Sequence, residues 1–205
     1  MKKNLLWMLA VILCCGPMTA QAQDEQEFEV IAGDFNIVKQ PGKTGTVEFD
    51  YDNAKVGNLR TMSITSETIV AYLQNNDQKA FRKWEDIKEE GKEMFIKRWN
   101  EDKSKCIKLI EQGDADYQIK IKADLIDTGN SGSAAWSFNK RDGGLVISGT
   151  LEVLDASGNS VCKMKINRYR GAATRSVDFK MPTFSRRVIL FHKSLAKDLL
   201  ETILK

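Results

Sequence analysis

Apolar and polar positions along the chain change period several times, and each change marks an element. Leu5 to Cys15 (LLWMLAVILCC) is an unbroken apolar run, too short to span a bilayer as a stable helix. Thr46 to Tyr51 alternates, placing Val47, Phe49 and Tyr51 on one face, which predicts a half-buried strand. From Asp77 the period turns helical. At about 100° per residue Phe81, Trp84, Ile87, Met94, Phe95 and Trp99 share one side, predicting a main helix that ends between Asn100 and Lys105. Gly91 sits inside that stripe, where it costs about 1 kcal/mol against Ala, and close approach to another element is the expected compensation. Tyr117 to Leu125 has apolar odd positions and polar even ones, the pattern of a strand with one dry and one wet face.

Short strands are expected at Cys106–Ile110, Leu145–Leu154 and Val161–Tyr169, the last two joined by a turn at Asp155–Asn159. In the last of these Cys162, Met164 and Ile166 point inward. A long Gly- and Ser-rich connection from Gly129 to Gly144 precedes them. The chain closes with a helix over Phe184–Leu204, whose apolar face is Phe184, Val188, Leu195, Leu199 and Ile203. Residues 58–76 resist assignment, because Ile69 to Leu73 suits a short helix or a strand equally. The order β-α-β-β-β-β-α predicts an α+β fold with two helices packed on one face of a mostly antiparallel sheet of four to five strands.

The amino-terminal run changes the picture of compartment. Lys2 and Lys3 precede it, Pro17 follows it, and Ala20-Gln21-Ala22 offers small residues at a cleavage site, so residues 1–22 read as a signal peptide and the mature chain as starting at Gln23. Lipidation is disfavoured, since Cys14 and Cys15 lack a small preceding residue. The expectation is an exported protein of the periplasm or cell envelope, soluble rather than lipid-anchored, with no transmembrane segment in the mature chain. Residues 23–44, polar and carrying a Pro41-Gly42 turn, read as a mobile leader with one short edge strand near Phe35–Val38. Residues 45–205 form a single domain.

The whole chain holds 31 Lys and Arg against 28 Asp and Glu. Removal of Lys2 and Lys3 leaves 29 against 28, a mature charge of +1, which argues against a nucleic-acid or general polyanion binder. Of the four cysteines, Cys106 and Cys162 remain after cleavage. A bridge between them, worth on the order of 4 kcal/mol in an oxidising compartment, and two separate buried thiols are equally compatible with the sequence.

Asp114-Ala115-Asp116-Tyr117 leading into a strand, Gly129-Asn130 at that strand's end and Asp155-Ala156-Ser157-Gly158 in the hairpin carry a resemblance. With the order of elements from Gly45 to Lys205, the chain resembles small bacterial envelope domains: the amino-terminal domain of the Tol translocation protein, the lipopolysaccharide-assembly lipoprotein, and secreted proteins of unknown function with the same turns. The resemblance implies an envelope protein that acts by binding or assembly, and it supplies no catalytic residues.

Chemistry visible in the residues themselves is sparse. The single histidine, His192, lies within an apolar stripe and reads as a hydrogen-bonded core residue. Asp50-Tyr51-Asp52-Asn53 starts like a calcium loop but has Ala54 and Lys55 where a ligand and a glycine belong. The 129–133 run lacks the lysine of a phosphate loop. No cofactor or metal is expected. Arg168-Tyr169-Arg170 with Arg175, Arg186 and Arg187 forms a weak basic cluster in sequence. Lys120, Lys122, Lys163 and Lys165 all fall at outward positions of alternating strands, and if those strands are neighbours they make a candidate anion-binding face. The leading expectation is a non-enzymatic binder of an envelope protein or an anionic envelope polymer. The alternative is a hydrolase of envelope glycans using carboxylates from among Asp114, Asp116, Asp124 and Asp127.

Overall fold

The computed structural model describes residues 26–58, 63–102, 105–128, 144–172 and 182–205. The expected signal peptide with Cys14 and Cys15, and the expected connection over 129–143, lie outside them. Among the described residues eight strands make one sheet: β1 (Phe28–Gly33), β2 (Thr44–Asp50), β3 (Lys55–Asn58), β4 (Ser63–Thr68), β5 (Lys108–Leu109), β6 (Tyr117–Asp127), β7 (Val146–Asp155) and β8 (Ser160–Arg170). Four α-helices accompany them: α1 (Ile69–Asn76), α2 (Gln78–Arg82), α3 (Trp84–Trp99) and α4 (Phe184–Ile203). The main path runs β1-β8-β7-β6-β2-β5, with β3 beside β6 and β4 beside β3.

The α+β class and the mostly antiparallel sheet hold, while the strand count and layout differ from expectation. β1-β8, β8-β7, β7-β6 and β3-β4 are antiparallel. β2 and β3 instead run parallel to β6. The helical segment between them supplies the crossover that a parallel pair requires. β2 and β3 are two pieces of one line along β6, interrupted where the Ala54 N–H turns back to the Tyr51 carbonyl.

Residues 28–38 do not form a loose leader. Phe28 is buried against Tyr169, β1 forms the sheet edge on β8, and Phe35–Val38, expected as a strand, is a 3-10 turn with Phe35 and Val38 buried. The undecided 69–73 stretch is helix, because Thr68 caps it by accepting from the Ala71 N–H. The helix expected from Asp77 is broken at Lys83 into α2 and α3.

Both long helices lie on the sheet's dry side. Trp84, Ile87, Phe95, Ile96 and Trp99 of α3 and Val188, Phe191, Leu195, Leu199 and Ile203 of α4 join Val47, Ile119, Ile121, Leu151, Val153, Met164 and Ile166 in one core. Gly91 of α3 faces His192 of α4. A Cβ there would stand 2.6 Å from Nδ1, so the glycine is what lets the helices meet.

The sheet bends at Gly149. Opposite Ser148-Gly149 both neighbours carry an extra residue, Asp124 in β6 and one in the 167–168 pair of β8, where Arg168 takes a left-handed φ of 46°. A Cβ on Gly149 would lie 2.0 Å from the Lys122 carbonyl oxygen. The bulge in β6 also moves Ile126, not the expected Leu125, into the core.

Candidate functional site

On the face away from the helices, register sets the neighbours of every outward side chain. Lys163, Glu152, Lys120 and Glu48 stand in one rank across β8, β7, β6 and β2. Glu29, Lys165, Thr150, Lys122 and Asp50 stand in the next, across β1 to β2. Strand spacing puts successive members about 4.8 Å apart at the backbone. The four lysines therefore do share one face, but not as a basic patch. Acids alternate with them in the first rank and flank Lys165, Thr150 and Lys122 in the second, and Lys120 Nζ lies 3.8 Å from Glu48, whose carboxylate also accepts from Gln118 at 2.9 Å. A shallow depression of about 480 Å³ on this face is lined by Lys120, Lys122 and Lys163 against Glu48, Asp50, Asp124 and Glu152. Three cations among four carboxylates do not present the electropositive field that a uniformly anionic polymer requires.

A second depression, about 390 Å³, lies between β2 and α3, where Glu48, Glu85, Glu89 and Glu111 meet Lys88 and Lys92. Lys88 bridges Glu85 and Asp52 at 2.9 Å each, and the Trp84 indole donates to Asp52 at 2.9 Å. Burial opposes the ionised form of Asp52, yet the Lys88 and Trp84 hydrogen bonds outweigh it and hold the carboxyl below its usual range.

The carboxylates considered for hydrolysis are scattered. Asp116 accepts from Lys43 Nζ at 2.7 Å and from the Thr44 N–H at 2.8 Å, contacts that hold it down at about 2. Asp127 lies at the other end of β6, about 36 Å away along the strand. Asp124 is on the mixed-charge face and Asp114 in an exposed loop. Among the described residues no Asp or Glu is buried, so neither depression encloses a carboxyl as a general acid requires.

His192 is fully buried and lies between Phe49, Phe191 and Tyr51. Its Nδ1 is 2.8 Å from the Val188 carbonyl, which can only accept, so Nδ1 carries the hydrogen and Nε2 accepts from the Tyr51 hydroxyl at 3.2 Å. Burial pushes the imidazole down to about 4 and the Tyr51 phenol well up. Both ring nitrogens are committed to the core.

The Cys106–Cys162 bridge is not made. Cys162 lies on β8 and Cys106 just before β5, four strand spacings apart in the sheet order, about 19 Å. A disulfide holds its Cα atoms within about 7 Å. Burial, with the Asp34 carboxylate nearby, pushes the Cys162 thiol up to about 12.

The arginine cluster also disperses. Tyr169 is buried and donates to Asp198 at 2.8 Å, Arg168 is exposed in the bulge, and Arg175 lies outside the described residues. Arg187 is the residue that sequence reasoning undervalued. It is only 7% exposed, and its Nε is enclosed with no hydrogen-bond partner. The signal available was its position, since the first turn of a helix favours acids, and α4 has none there.

Fold and site together define an α+β protein with two long helices on one side of its sheet and an open, alternately charged face on the other. No helix among the described residues is long and apolar enough to cross a membrane, and no group of three or more His, Cys, Asp or Glu among them could hold a metal ion. No family model and no curated protein matches the chain. Among solved structures, PelC of Paraburkholderia phytofirmans, a dodecamer, is 10% identical over 88% of this chain and 100% of its own, with a TM-score of 0.38. A second crystal form of PelC gives 10% identity over 86% and 96%, with a TM-score of 0.37. Protein XCC0632 of Xanthomonas campestris is 9% identical over 84% and 89%, with a TM-score of 0.31. Likenesses this slight carry nothing over to the present chain.

Proposed function

We propose that this is an exported envelope protein that acts by binding and not by catalysis, and that its outer sheet face docks a partner protein bearing alternating charges. The export half rests on the Lys2-Lys3, apolar and Ala20-Gln21-Ala22 pattern. The binding half rests on one observation, the two ranks in which Lys163, Glu152, Lys120 and Glu48, and Glu29, Lys165, Thr150, Lys122 and Asp50, lie across neighbouring strands. Such a surface attracts a partner whose charges are spaced to match and repels one of a single sign, so its selectivity comes from pattern and not from net charge. This favours a protein over the anionic envelope polymer.

The test uses the mature protein, whose intact mass should match a chain starting at Gln23 with no lipid. Its salt-sensitive binding to native envelope material is measured for two variants: Lys120, Lys122, Lys163 and Lys165 all changed to Gln, and Glu48, Asp50 and Glu152 all changed to Gln. Both should lose binding, to a component that protease destroys, with stability within about 1 kcal/mol of the parent because exposed charges contribute little to folding. Loss in the lysine variant alone, on protein-free polymer, would instead establish the polymer as ligand. Turnover of an envelope glycan, abolished by one Asp→Asn change, would overturn the reading.

A further inference from the structure

Along the strands the outer face is striped. β8 carries Lys163 and Lys165, β7 carries Glu152 and Thr150, β6 carries Lys120 and Lys122, and β2 carries Glu48 and Asp50. Across the strands the sign of the first rank runs plus, minus, plus, minus, an even alternation that reverses when taken from its other end. Such a surface is complementary to itself, which is what an isologous twofold contact requires. A twofold axis running along the strands, between β7 and β6, lays β8 over β2 of a second copy and β7 over β6. Lys163 then faces Glu48, Glu152 faces Lys120, Lys165 faces Asp50 and Thr150 faces Lys122, each contact made twice. Other axes fail. One placed on β7 sets Lys163 against Lys120, and one on β6 sets Glu152 against Glu48. An axis across the strands, between the ranks, sets Lys163 against Lys165 and Lys120 against Lys122. Each of these brings like charges together, which is strongly unfavourable.

We propose that the partner of the outer sheet face is a second copy of this chain, docked sheet to sheet about an axis parallel to the strands between β7 and β6. The inference rests on the reading of that face as a protein-docking surface, and it names the occupant. Two twisted sheets pack at about 30° to each other, which offsets the outermost strands by about 4 Å along their length. β8, β6 and β2 keep their sign over both ranks, so a lysine of β8 still meets an acid of β2. Four strands about 4.8 Å apart, with residues 149–155 of β7 at about 3.3 Å each, give a patch of about 19 by 23 Å per copy. That is the size of a transient contact and not of an obligate dimer. Charge holds it in place of apolar area, so the dimer forms at low salt and separates as salt screens it.

Sedimentation of the full mature protein between about 10 μM and 1 mM should show a monomer–dimer equilibrium at about 20 mM salt and monomer alone at about 500 mM. Lys120→Glu and Glu152→Lys should each weaken self-association at least tenfold, because each sets like charges against each other at the axis. An equimolar mixture of the two should associate again about as well as the parent. One copy then brings only acids to the centre and the other only cations, and recovery also shows that both variants are folded. Where either fails to fold, Lys163→Glu and Glu48→Lys repeat the exchange at the ends of the rank, with the same expectation. Self-association indifferent to these changes, or a mixture no better than its components, overturns the proposal. A parent that stays monomeric at low salt while its sheet face still captures a protease-sensitive envelope component also overturns it, and leaves the broader docking reading standing. A parent that neither self-associates nor captures such a component ends both.

Discussion

Protonating His192 inside its aromatic surroundings would place a charge in a fully buried site whose hydrogen-bond partners, the Val188 carbonyl and the Tyr51 hydroxyl, are both neutral. The folded imidazole therefore titrates at about 4, below the roughly 6.5 of an unfolded histidine. Between those values the unfolded chain binds the extra proton, so stability is complete above about pH 6.5 and falls as pH drops toward 4. The loss across the window is about 3 kcal/mol. Denaturant titrations at pH 7 and pH 4.5 should show it, and a His192→Phe variant should show a much flatter profile. Gly91→Ala should destabilise by about 1–2 kcal/mol in the same titrations: alanine is the better helix former, but its Cβ would sit 2.6 Å from His192 Nδ1. Each residue of this pair was legible singly, Gly91 as a gap in an apolar stripe and His192 as a core position. Their contact was not, because helix periodicity fixes a face and says nothing of which residue on another helix meets it. Arg187 was hidden for the same reason.

Elements whose period was clean appeared where the pattern put them. β6 alternates as read through Ala123, and the β7–β8 hairpin turns on Asp155, whose carboxylate accepts from the Ser157 and Asn159 N–H groups. What failed were elements defined by partners. β1 has Val30 and Ile31 about half exposed and no alternation, so only its pairing with β8 makes it a strand. The lysine face was half legible: outward positions follow from period two, but the acids between them come from register, which is a property of neighbouring strands. Gly149 shows how strict that register is. Gly149→Ala would press a methyl group into the Lys122 backbone, which has no side chain to swing aside. We expect about 3 kcal/mol of destabilisation by chemical denaturation, and a loss below 0.5 kcal/mol, about the scatter of ordinary surface changes, would mean the bend is not enforced there.

At the scale of the molecule, one core joins the sheet to both long helices and needs no covalent staple. Cys106 and Cys162 lie toward opposite sides of the sheet order, so unfolding the purified protein without reductant and alkylating it should label both thiols. A single unlabelled pair linked in a non-reducing peptide map would contradict that separation.

The pairing of β1 with β8 has a consequence for how the chain reaches this state. Phe28 lies opposite Ile166, so the first strand to be synthesised waits for one of the last before it has a place to bind. Contacts this remote in sequence close slowly, since the intervening loop must be ordered first. A chain threaded across a membrane with its amino end leading would hold Val30 and Ile31 in the open throughout its passage. During that interval the β8 edge is an unfilled template and β1 an unpaired apolar segment, the combination that holding chaperones capture and that strand exchange between copies exploits.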